Sequence, residues 1–253
     1  MQAKDTQQIK LERSDIDGVY KTIFNRRDVR SQFLDRKIEP EKLMRVLQAA
    51  HHAPSVGFMQ PWDFTIIESK AVKQQIHQAF ELANEEAAQM FDPDKKSKYQ
   101  QLKLQGILDS PINICVTCDK DKAGPVVLGR THNLKMDEYS TVCAVQNLWL
   151  AARAEGLGLG WVSIIKDEDL QQILNIPADV VPVAYLCLGY VSDFYQQPEL
   201  AQKKWRQRLE LQDCIYFDQW KQTDEQHPLI TKIKDNDFVS NYKKSTNTDS
   251  KNK

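Results

Sequence analysis

Several things are scarce in this sequence. It has almost no net charge, no long apolar run, and no close grouping of metal-ligating side chains. Its 34 Lys and Arg against 35 Asp and Glu leave a formal charge of -1, so no broad field points to nucleic acid or to a membrane surface. No stretch of about 18 apolar residues is present for a membrane span, and the polar N-terminus lacks the apolar core of a signal peptide. A cytoplasmic protein is expected. The five cysteines, at 115, 118, 143, 187 and 214, are an odd number and argue against a disulfide framework. Cys115 and Cys118 have a Cys-x-x-Cys spacing, but their segment alternates like a strand, on which residues three apart face opposite sides. They read as core cysteines. No second pair follows at zinc-site spacing, His51 and His52 are adjacent, and the other histidines are isolated, so no metal is expected.

At 253 residues, one large domain with an ample core is expected. Residues 1–15 are polar and read as a frayed segment. A first helix follows, then a second opened by Pro40, with Leu43, Val46, Leu47 and Ala50 at helical spacing. A loop at 55–62 punctuated by Gly57 and Pro61 leads into a strand at 62–68. Two charged helices are predicted at 70–90 and 95–107, separated by Asp92-Pro93-Asp94, and then a strand at 111–118. The connection 119–136 is long enough to be a lid or binding loop. A buried central helix at 137–155 carries Val142, Val145, Leu148, Trp149 and Ala152. Gly158-Leu-Gly-Trp161 opens a glycine-rich strand where another backbone or a flat ligand comes close. A helix capped by Asp167 and a very apolar strand at 181–191 complete the core. Segment 193–220 has aromatic residues in a charged setting and suits an arm packing on a neighbour. Residues 226–253, rich in Lys, Asn, Ser and Thr, read as a mostly disordered tail. There is no internal repeat.

The densest chemistry is Arg26-Arg-Asp-Val-Arg30. If the stretch opens a helix, Arg26 and Arg30 lie one turn apart on one face, and converging guanidinium groups can clamp a phosphoryl group. Asp28 repels such a ligand. It is therefore either an ion-pair partner or a group with a separate task.

Together the arginine cluster, Pro54-Ser-Val-Gly-Phe-Met-Gln-Pro-Trp62, Gly129-Arg130, the block Met136 to Gly156 and Gly160-Trp-Val-Ser-Ile164 resemble the nitroreductase superfamily. Within it the chain is most similar to the 5,6-dimethylbenzimidazole synthase (BluB) family, over roughly residues 16–220. The resemblance implies an α+β fold with a central, mostly antiparallel sheet flanked by helices. It also implies a homodimer with an exchanged C-terminal arm, and an FMN-binding domain at 16–225. Two departures from ordinary nitroreductases point toward the synthase: Asp28 stands where a serine is common, and Phe58 where an asparagine is common.

That resemblance implies oxygen-dependent fragmentation of reduced FMN to 5,6-dimethylbenzimidazole and erythrose 4-phosphate. Reduced FMN and O2 are then substrates, and NAD(P)H acts only through a separate flavin reductase. Catalytic roles fall to Asp28, beside the ribityl chain, and to Ser163. Flavin binding falls to Arg26, Arg27, Asp28, Val29, Arg30, Pro54, Ser55, Gly160, Trp161 and Ser163, with Arg206 or Arg208 from the arm. Arg130, Met136 and Tyr139 would form a lid. Neither nucleic acid nor a membrane is an expected partner. Dull competitors stand beside these assignments: Ser55 and Ser163 as ordinary serines, Trp62 and Trp161 as core, Asp28 as an ion-pair partner. Two other functions remain open, an NAD(P)H-dependent nitro or quinone reductase that recycles FMN, and a catalytically silent FMN-binding protein.

Overall fold

The computed structural model describes residues 9–243. In chain order the helices are α1 (Arg13–Asn25), α2 (Pro40–His51), α3 (Lys70–Gln89), α4 (Pro93–Gln100), α5 (Met136–Ala154), α6 (Asp167–Leu174), α7 (Glu199–Gln202), α8 (Pro228–Asp235) and α9 (Phe238–Lys243), and the strands are β1 (Trp62–Ile67), β2 (Ile112–Cys118), β3 (Leu157–Val162) and β4 (Val181–Tyr190). They divide into two compact units. Residues 27–205 form one, and the described residues before and after them, 9–26 and 206–243, form the other.

The larger unit is built on a four-stranded sheet in the order β1-β2-β4-β3. All three pairings are antiparallel. Alternation along the strands sorts the core into two layers. On one face Ile114 and Val116 of β2 join Leu186 and Leu188 of β4 against Val46 and Ala50 of α2 and Val145 and Leu148 of α5. On the other, Cys115, Tyr185 and Cys187 pack with Ile76 and Phe80 of α3 and Leu170 of α6. Because helices cover both faces, every residue of β2 is buried. Cys115 and Cys118 are free, buried cysteines, as the strand parity required. Burial pushes the Cys115 thiol up to about 12, leaving it inert at neutral pH.

Sequence and structure differ at four places. The second charged helix stops at Gln100 rather than 107, with Asp92 as its N-cap accepting from the Lys95 amide at 2.9 Å. Asp167 is the first residue of α6 and Lys166 occupies the cap position, without a side-chain bond. The stretch after α1 is not helical, since Arg26 already has extended dihedrals (φ -64°, ψ 140°). Finally, residues 228–243 of the expected tail form α8 and α9, where Ile230 is buried. The expected polar segment at 1–8 and tail at 244–253 lie outside the described residues. Trp205 packs on Phe91 and Tyr99 of its own unit, at 5.5 and 6.3 Å between ring centroids. No described helix is long and apolar enough to cross a membrane.

The start of α2 is tied to the end of β4. The Tyr190 hydroxyl donates to Glu39, the residue before Pro40, while Lys42 Nζ donates to that hydroxyl at 2.8 Å and Arg36 donates to Glu39 at 3.1 Å. The Tyr190 bond is the main reason the Glu39 carboxyl falls from its usual 4.5 to about 2. A depressed carboxyl stabilises the fold above its unfolded value and stops doing so as pH falls through the folded one. Thermal melting of Tyr190→Phe should therefore lie below wild type above pH 4.5, and the gap should close as pH approaches 2. A constant gap across that window would contradict this.

Candidate active site

The arginine segment is an extended strand fragment that joins the exposed edge of the sheet. Asp28 forms an isolated parallel bridge with Leu159 of β3, and the Val29 amide donates to the Leu159 carbonyl at 3.0 Å. The approach is possible because residue 160 is glycine. A Cβ at Gly160 would sit 2.0 Å from the Val29 carbonyl oxygen, so only a hydrogen fits. The two-residue period then divides the cluster. Arg27 and Val29 face inward and are buried, while Arg26, Asp28 and Arg30 are half-buried. Arg27 donates through Nε to the Tyr195 carbonyl at 2.7 Å and through Nη2 to the Gln196 carbonyl. Its own carbonyl accepts from Trp149 Nε1 at 3.3 Å.

Asp28 is held at both oxygens. Oδ1 accepts from the Trp161 amide at 3.0 Å, and Oδ2 accepts from Arg30 Nη2 at 2.6 Å. The ion-pair reading is therefore correct as geometry, and it leaves a second lone pair on each oxygen. Ser163 is exposed and stands just beyond the end of β3. Two residues of chain, at most about 7 Å, separate it from the amide that anchors Asp28. Arg30 is largely buried, and its Nε is a buried donor without a protein acceptor. Such an orphan is the feature an incoming anion would satisfy. Trp161 is half-buried beside Trp149, ring centroids 6.3 Å apart. Trp62 resolves as core, its Nε1 donating to His51 Nδ1 at 3.2 Å.

The Pro54–Gln60 loop locks onto the 126–130 segment through two glycines. A Cβ at Gly57 would lie 2.4 Å from Val127 Cγ1, and one at Gly129 would lie 2.7 Å from Val56 Cγ1; both residues have positive φ. Ser55 Oγ accepts the Gln60 amide at 3.1 Å, bracing the turn, and Pro54 is exposed. Phe58, itself at φ 56°, is 80 % exposed. Tyr139 is exposed and Met136 half-buried at the start of α5. Arg130 is a correction to the lid expectation. Its guanidinium turns inward to Asp137 at 2.6 Å, to the Lys120 carbonyl at 2.9 Å and to the Gly124 carbonyl, so it ties the long connection together from beneath. Arg206 and Arg208 are exposed and belong, with Arg26, to the other unit.

Sequence reading missed Ser140 and Asp137. Ser140 Oγ accepts the Val56 amide at 3.2 Å and so docks the Pro54–Gln60 loop on α5, while Asp137 is the buried partner of Arg130. Both are polar residues on the inward face of an otherwise apolar helix. That was the available signal.

A sequence profile of the nitroreductase family matches residues 23–190. The chain belongs to the nitroreductase family. It is an oxidoreductase. Among relatives in the family, a 5,6-dimethylbenzimidazole synthase of Rhodospirillum rubrum is 37 % identical over 183 residues, covering 72 % of this chain and 86 % of that protein. One from Rhodobacter capsulatus is 33 % identical over 199 residues, covering 79 % and 96 %. Oxidized iodotyrosine deiodinase bound to FMN and 3-iodo-L-tyrosine shares the fold, with a TM-score of 0.63 at 23 % identity over 80 % of this chain and 99 % of that one.

Two substitutions probe how the site is held. Gly160→Ala should force Val29 and β3 apart and cost about 1–3 kcal/mol in urea unfolding. Arg130→Met leaves the Asp137 carboxylate buried without its partner and should cost about 3–5 kcal/mol in the same measurement. Wild-type stability in either variant would contradict the packing described.

Proposed function

We propose that this chain fragments reduced FMN with dioxygen, giving 5,6-dimethylbenzimidazole and erythrose 4-phosphate. The observation that carries the reading is Asp28. This carboxylate is clamped between the Trp161 amide and Arg30, a short length of strand from Ser163, in a chain 37 % identical to a named 5,6-dimethylbenzimidazole synthase. Cutting a ribityl chain requires protons to move at sugar carbons and hydroxyls, and a fixed carboxylate with free lone pairs can accept and return them. Anchoring both oxygens holds that group in one orientation before substrate arrives. Ser163 supplies a hydroxyl donor for a polar atom of the flavin or for oxygen.

The phosphate end of FMN needs cations. Arg30 offers its orphaned Nε, and Arg26 follows as the second member of the grip, with Arg206 or Arg208 as further donors from the arm. Arg27 contributes by fixing the backbone, since its Nε and Nη2 are engaged by the Tyr195 and Gln196 carbonyls. Phe58, Met136 and Tyr139 exclude water from the reacting centre. A homodimer completes the site, and reduced FMN comes from a separate NAD(P)H-dependent flavin reductase.

The test is incubation of the purified protein with FMN, a flavin reductase, NAD(P)H and air, with chromatographic detection of the benzimidazole. Product should accumulate as flavin disappears. Steady NAD(P)H oxidation by this protein alone, with flavin surviving, would instead identify a recycling reductase, and tight binding with no reaction would identify a silent binder. Asp28→Asn should keep flavin affinity within about threefold while product formation falls by about 10²-fold or more. Loss of binding with normal residual chemistry would remove the role given to Asp28.

A further inference from the structure

We infer that Trp149 is a positioning residue that fixes the backbone of Asp28; the inference rests on the function proposed above. An indole N–H usually finds an acceptor when its ring packs against a core, so a hydrogen bond from Trp149 is ordinary by itself. What sets this one apart is where its acceptor lies. Trp149 Nε1 donates at 3.3 Å to the Arg27 carbonyl, and that carbonyl shares a planar peptide unit with the Asp28 amide. On the other side of Asp28, the Val29 amide donates to the Leu159 carbonyl at 3.0 Å. The Asp28 Cα therefore sits between two tethered peptide planes, one held by a helix and the other by the sheet edge. The Arg27 guanidinium is also engaged, by the Tyr195 and Gln196 carbonyls, but it acts at the end of a long side chain. The bond to the Arg27 carbonyl acts next to the Asp28 Cα.

The support comes from a rigid element. Trp149 lies on α5, whose Val145, Leu148 and Ala152 are fully buried in the layer shared with α2. Trp149 and Trp161 both pack against that layer, and their rings lie 6.3 Å apart at 54°. Trp161 is the residue whose amide donates to Asp28 Oδ1 at 3.0 Å. One indole thus serves both halves of the same contact. Its N–H steers the backbone that carries the carboxylate, and its ring backs the residue that anchors the carboxylate. Phenylalanine at this position would keep most of the ring and lose the donor. Trp149 acts through Asp28 and need not touch a reacting atom. Holding that carboxylate in one orientation matters because a misplacement of about 1 Å can cost about 10²-fold in rate.

Amide hydrogen exchange of the full-length protein, without flavin, is followed by NMR for wild type, Trp149→Phe and Asp28→Ala. The Trp161 amide should exchange about tenfold faster in both variants, the scale of one hydrogen bond. The Ile114 and Leu186 amides, which face each other on the two central strands, should change by less than about twofold. In the coupled assay with flavin reductase and air, Trp149→Phe should form the benzimidazole about tenfold more slowly, with FMN affinity within about twofold of wild type. A Trp161 amide as well protected in either variant as in wild type would overturn the positioning role, and so would a loss of protection spread equally over the sheet. Normal benzimidazole formation despite a freed Trp161 amide would overturn it too. A wild type that forms no benzimidazole would overturn the proposed function, while the exchange pattern would still decide whether Trp149 tethers Asp28.

Discussion

The site depends on one close approach, that of the Val29 carbonyl to Gly160 across the edge of β3. A β-sheet edge carries unpaired amides and carbonyls, and this one accepts a parallel fragment of the chain that follows α1. Any side chain at residue 160 would occupy the space the carbonyl uses. From that contact follow the extended form of residues 27–30, the inward turn of Arg27 and Val29, and the placement of Asp28 on the Trp161 amide. Two backbone amides in β3 and the arginine segment thereby define where a carboxylate stands, with no need for a deep cavity around it.

A second set of constraints holds the loops. α5 runs through the core on its apolar side, yet its first two turns carry Asp137 and Ser140 facing inward. Asp137 receives Arg130 and so folds the 119–136 connection back on itself, and Ser140 receives the amide of Val56. The two loops then interlock through Gly57 and Gly129. A buried ion pair costs desolvation on both partners, so its value lies less in net stability than in fixing one loop conformation among many. In that conformation Phe58, Leu128 and Tyr139 are exposed.

Charge and chemistry also separate cleanly along the arginine segment. Three guanidinium groups within five residues suggested a single clamp, but an extended chain sends neighbours to opposite faces. Arg27 became a structural tie to carbonyls 195 and 196, and Arg30 became the partner of Asp28 with one donor left over. The acid that weakened a simple phosphate-clamp argument is the best-oriented polar group of the segment. The role proposed for Asp28 rests on that orientation, on membership of the nitroreductase family and on the similarity to two named 5,6-dimethylbenzimidazole synthases.

Much of the fold was legible from local pattern. Helical spacing located α2 and α5, glycine and proline punctuation located β1 and the Pro54–Gln60 loop, and strand parity put Cys115 and Cys118 on opposite faces. These features depend on neighbours a few residues away, which the order of residues states directly. The identity of Asp28 and the glycines of β3 were also visible as oddities. What the order of residues could not state was which distant partner each polar group would find. Arg130 met Asp137 rather than a ligand, Arg27 met two carbonyls about 170 residues away, and a polar tail with little local propensity folded because Phe238 and Tyr242 found Tyr20 and Phe24. Such pairings are decided by burial and hydrogen-bond satisfaction across the assembled chain, where an unpaired group costs more than any local preference; only tertiary structure makes that choice.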